Sequence, residues 1–97
     1  MTFRLGETLM TCGIRDIIDS SPEAALVFNE CLFRHANQDW GDLCEEDRQM
    51  NDDALEAERK GEPTDQLFSS YNTDFGKIFI ITEWDRSVTT VLLAEEY

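Results

Sequence analysis

The sequence predicts an α+β fold, with two main helices packed on a three- to four-stranded antiparallel sheet. Apolar residues recur at helical spacing between Ser21 and Arg59. Beyond Leu67, β-branched residues gather in short runs separated by turn residues. With 97 residues and 41% apolar content, the chain suits one core and is too hydrophobic for a disordered segment, so residues 1–97 read as a single domain.

Taken in order, residues 3–12 are ambiguous between loop and a short strand ending near Gly13, with a helical turn over 14–19. Ser21 followed by Pro22 marks a helix start, a hydroxyl cap and then a proline whose missing N–H costs nothing there. Ala24, Val27, Phe28, Cys31, Leu32 and His35 then share one helical face as far as Asn37, and Asp39, Trp40 and Gly41 form a joint. A second helix is expected over residues 41–59. Leu43, Met50, Ala54 and Ala57 lie on one arc, and Asp42, Glu45, Glu46, Asp52, Asp53 and Glu56 on the opposite one. Gly61 and Pro63 end that helix. Strands are expected over 67–71 and 77–83 around a hairpin loop at 72–76, and over 87–93 after a tight turn at Trp84, Asp85 and Arg86.

Charge is the most distinctive property of the chain. Twenty-one acidic residues against eight basic ones leave −13, and residues 39–65 alone hold eleven acids and three bases, a net −8. Such a surface excludes tight binding of free nucleic acid, whose affinity comes largely from Lys and Arg on phosphate. No apolar run reaches the ~20 residues of a membrane span and no signal peptide opens the chain. Three cysteines without a CxxC pair point to a reducing cytoplasm.

Three segments carry a resemblance. They are Asp39-Trp40-Gly41-Asp42-Leu43-Cys44-Glu45-Glu46-Asp47, Ile80-Ile81-Thr82-Glu83, and the stretch from Asp85 through Val88 and Leu93 to the closing Glu95-Glu96-Tyr97. They resemble a family of small, largely uncharacterised bacterial proteins of plasmids and other mobile elements, often labelled plasmid-related protein or restriction–modification subunit. The resemblance spans about residues 35–97. It implies genomic company in contest with host defences and supplies no active site. A methyltransferase role is set aside, because the chain has no Gly-rich methyl-donor loop and is too short for that domain.

Among candidate sites, the acidic helix face comes first. Its six carboxylates from Asp42 to Glu56 span about 21 Å at 1.5 Å per residue. One DNA strand presents about six phosphates over that length, at roughly 3.4 Å each. A surface built to grip nucleic acid would therefore find matching charges on this helix, with Arg–carboxylate pairs in place of Arg–phosphate pairs. The plainer alternative is a solvated face, or the acidity of a salt-tolerant host. Asp39 and Trp40 join the partner-binding set, with Trp40 and Trp84 as interface anchors if exposed and core residues otherwise. Asp47 falls in the apolar arc and is expected to pair with Arg34 or Arg86. His35, the only histidine, reads as a partly buried residue capping the end of the first helix. Alternatively, with Arg86, Ser87, Thr89 and Thr90, it would form a metal-independent ribonuclease site, which the net charge opposes. No zinc or calcium spacing is present, so no metal or cofactor is expected.

The expected function is that of a non-enzymatic, cytoplasmic inhibitor from a mobile element. It would mimic DNA and occupy the basic nucleic-acid channel of a host-defence complex, as an anti-CRISPR or anti-restriction protein. The rivals are the small ribonuclease or toxin just described and an antitoxin-like adaptor for a basic partner.

Overall fold

A computed structural model describes residues 3–97. The order of elements is β1 (Glu7–Met10), α1 (Cys12–Ser20), α2 (Ala24–Ala36), α3 (Glu45–Arg59), β2 (Leu67–Thr73), β3 (Gly76–Thr82) and β4 (Val88–Leu93), closed by a 3₁₀ turn over Ala94–Glu96. The fold is α+β, with three helices and one mixed four-stranded sheet in the order β1-β4-β3-β2. Two expectations are thereby corrected. The sheet is not wholly antiparallel, because β1 runs parallel to β4, with Glu7 opposite Val88 and Met10 opposite Val91. There is also a third helix, α1, where a single turn was expected. It starts once Thr11 N–H has bonded Val91 O (3.1 Å) and ends where Ser21 N–H bonds Ile17 O.

The hairpin is tighter than expected. Strands β2 and β3 pair as far as Thr73 opposite Gly76, leaving Asp74 and Phe75 as the turn. Helix α2 is not capped by the Ser21 hydroxyl. Its N-cap is Glu23, with no side-chain bond, and Ser21 and Pro22 offer their carbonyls to Ala24 and Ala25 instead.

Strand alternation points Tyr71, Ile78, Ile80, Val91 and Leu93 at the helices, where they meet Ile14, Ala24, Phe28 and Cys31 in the main core. A second cluster of Phe3, Trp40, Ala54, Leu55 and Leu67 joins α3 to the end of the sheet. On the opposite sheet face, Phe68, Phe79 and Tyr97 form a separate aromatic group, Phe68 tilted against Phe79 and Tyr97 edge-on to both.

Strand β2 is an edge strand, yet its outer backbone groups at Phe68 and Ser70 are satisfied. Asn51 on α3 donates to Phe68 O (2.7 Å) and accepts from Phe68 N–H (3.1 Å). Ser70 N–H bonds Trp40 O, and Asp42 N–H bonds Ser70 O. The close approach requires a glycine. Gly41 has φ +73°, and a Cβ there would lie 2.0 Å from Ser70 O. This edge docking fixes how α3 sits and which of its faces meets solvent.

Candidate functional site

Helix α3 begins at Glu45, four residues later than expected, with Cys44 as N-cap. Its buried positions are Asn51, Ala54 and Leu55, so the inward stripe is rotated from the expected arc of Leu43, Met50, Ala54 and Ala57. Leu43 precedes the helix and Met50 is 62% exposed. The polar Asn51 faces inward because it satisfies the β2 edge, a demand that a hydropathy pattern cannot register.

The rotation leaves Glu45, Glu46, Asp52, Asp53 and Glu56 exposed along the outward face. Three of these carboxylates have local partners. Asp53 accepts from Gln49 Nε2 (2.8 Å), Asp52 accepts from Trp40 Nε1 (3.2 Å), and Glu56 lies 3.8 Å from both Arg59 and Lys60. Pairs as exposed as those of Glu56 are weak and leave its charge available. Glu45 and Glu46 make no side-chain bond among the described residues. With Asp47 they place three carboxylates on the first turn, where the helix dipole favours negative charge.

Asp42 and Asp39 are exposed but stand off the helix. Asp42 accepts from Asn72 Nδ2 (2.8 Å) beside the β2 edge. Asp39 pairs with Arg34 (Nε to Oδ2, 2.7 Å) and accepts from Gly41 N–H. The bonded Arg34 guanidinium holds the Asp39 carboxyl below its usual range.

Trp40 is not an exposed anchor. It is 5% exposed and packs against Phe3 and His35 in the second core cluster. Its indole N–H reaches Asp52, so one carboxylate of the outward face also pins the core. Trp84, in the β3–β4 turn, is 63% exposed. Asp47 is exposed and has no partner among the described residues, contrary to expectation, because it lies near the start of the helix, before the stripe that packs. Arg34 is taken by Asp39 and Arg86 by Glu58.

The ribonuclease constellation is only partly brought together, and its His35, Arg86 and Thr89 are enclosed. His35 is 0% exposed, its Nδ1 lies 2.5 Å from Ser69 Oγ, and its Nε2 lies 2.9 Å from Thr82 Oγ1. Thr82 Oγ1 is 2.7 Å from Thr89 Oγ1, which donates to Leu5 O (2.6 Å). The proton directions follow from the end of this chain. A carbonyl only accepts, so Thr89 donates to it and accepts from Thr82. Thr82 in turn accepts from His35 Nε2–H, which leaves Nδ1 to accept from Ser69. With the ring neutral, His35 is the Nε2–H tautomer. Burial, with the Arg86 charge second, pushes its imidazole down to about 4.

Arg86, 6% exposed, spends its guanidinium on Glu58 (2.6 Å), Asp65 O, Glu83 O and Thr64 Oγ1. Ser87 is exposed and bonds Asp85, while Thr90 occupies the other sheet face from Thr89. Neither the imidazole nor the guanidinium faces a surface from which it could reach a phosphate. Sequence reasoning missed the structural use of these groups, because the pairings of His35 with Thr82 and of Arg86 with Glu58 bridge distant elements.

Among the described residues, no three His, Cys, Asp or Glu side chains converge as a metal site, and no helix is long and apolar enough to cross a membrane. No protein-family model matches the sequence, and no curated protein or solved structure matches it either.

Proposed function

We propose that this protein is a non-catalytic inhibitor that occupies the basic nucleic-acid channel of a bacterial host-defence complex, such as a CRISPR effector or a restriction enzyme. The observation that carries this reading is the outward face of α3, where Glu45, Glu46, Asp52, Asp53 and Glu56 are all exposed. They span about 17 Å, over which one nucleic-acid strand presents about five phosphates. Asp42 adds an exposed carboxylate ahead of the helix, whereas the charge of Asp39 is paired with Arg34. Resemblance to proteins of mobile elements supports the choice of host defence as target, and the partner would be met in the cytoplasm.

Inhibition would be competitive. Carboxylates on a rigid helix take the Arg and Lys groups that otherwise hold phosphates, with fast and salt-sensitive association. The rigidity comes from Asn51, Trp40 and Arg86, which tie α3 to β2, to the loop ahead of the helix and to the β3–β4 turn. The test is displacement of labelled DNA from purified defence complexes by increasing amounts of this protein. Replacing the five outward carboxylates with amides is expected to remove most of the displacement. Equal displacement by that variant would overturn the mimicry.

A further inference from the structure

Beside the outward face, α3 borders a groove. Asp47, Met50 and Asn51 form its helix wall, and Asp65, Gln66 and Phe68 form its strand wall. Met50 is well exposed and Phe68 is half-buried, so the floor is apolar while carboxylates stand on both rims. The two bonds between Asn51 and the Phe68 backbone fix the walls relative to each other, so the groove needs no rearrangement to receive a ligand. The Asp47 carboxylate has no partner among the described residues, and that of Asp65 accepts only the neighbouring Gln66 N–H.

An apolar floor between two carboxylates fits a side chain with an apolar stem and a cationic head. The surrounding segment, eleven acids against three bases over residues 39–65, favours a cationic partner over an acidic one and repels a second copy of this chain. Of the two long cations, arginine suits the groove better. Its guanidinium is more weakly hydrated than an ammonium, stacks on an aromatic ring such as Phe68, and can bond two carboxylates at once. We propose that this groove is the anchor pocket for an arginine side chain of the basic partner. The stem would lie on Met50 and Phe68, and the head would sit between Asp47 and Asp65. The inference rests on the reading of α3 as a docking surface for a basic protein. It assigns specificity to a place separate from the outward carboxylates, which would govern attraction.

The test is methyl NMR on the whole protein, titrated with a peptide alternating glycine and arginine and with its lysine counterpart. Met50 supplies one of only three methionine methyl signals. The arginine peptide is expected to shift the Met50 methyl and to bind more tightly than the lysine peptide. Asp47→Asn with Asp65→Asn should weaken the arginine peptide roughly tenfold and remove most of its advantage over lysine. The five-amide variant of the outward face should keep both the Met50 response and that advantage. A Met50 methyl unmoved at saturation, or equal binding of the two peptides, overturns the pocket. A normal Met50 response in a protein that displaces no DNA overturns the inhibitor reading and leaves the pocket standing. Displacement with a silent Met50 does the reverse.

Discussion

His35 is the residue on which the interior's polar groups converge, and its protonation state sets a pH dependence. The folded protein holds it near 4, whereas the unfolded chain titrates at about 6.5. Between those values the unfolded state binds more protons, so stability is full above about 6.5 and falls as pH drops toward 4. The difference corresponds to about 3 kcal/mol, most of it lost before the carboxylates of the chain titrate. Urea titrations at a series of pH values are expected to show this loss in the parent. His35→Gln keeps a donor and an acceptor without a titrating ring, and it should flatten that part of the profile. Arg86 carries the other residue-scale prediction. Arg86→Ala removes the partner of Glu58 and three further bonds, for a loss of about 3 kcal/mol, because Glu58 is partly exposed and rehydrates. Arg86 has φ +60°, so Arg86→Gly should lose about 1 kcal/mol less, and urea midpoints for the two variants check the order.

At the scale of elements, the end of α3 and the loop before it depend on two glycines in different ways. Gly61 adopts φ +75° just past α3, where its N–H bonds Glu58 O and the Glu62 N–H bonds Ala57 O, closing the helix. Nothing lies within 4 Å of a Cβ built there, so Gly61→Ala carries only the backbone cost of about 1 kcal/mol. Gly41→Ala adds a clash with the Ser70 carbonyl and should be clearly worse, since the chain must leave the β2 edge. Thermal unfolding of both variants tests the difference. The helix stop was legible as Gly61 followed by Pro63, because such signals are local. The start was not, because the loop ahead of Glu45 is held by the edge of β2, to which Gly41 and Asp42 are bound. The placement of β1 was equally out of reach. A four-residue strand with every side chain exposed carries little hydropathy signal, and its parallel partner lies about eighty residues away.

At the scale of the whole molecule, the −13 charge and its concentration in residues 39–65 predict salt-controlled association. Displacement of DNA from a defence complex is expected to weaken steeply between low and physiological ionic strength, as the screening length shortens to about 8 Å. The five-amide variant should lose that salt dependence along with most of its activity, and repeating the displacement assay across a salt series measures both. The sequence by itself determined the α+β class, the acidic segment, the helical face of α2 and the hairpin, because each is written in spacing, composition or turn chemistry within a short stretch. Tertiary structure alone decided what the distinctive side chains do. Trp40 is core rather than interface, and His35 and Arg86 are interior ties rather than a reactive pair. Asp47 faces solvent beside an apolar groove rather than a buried arginine. The reason is that burial and pairing depend on which elements meet. Here the meeting of α3 with the β2 edge, through the inward-turned amide of Asn51, rotated the helix and chose the face its carboxylates present.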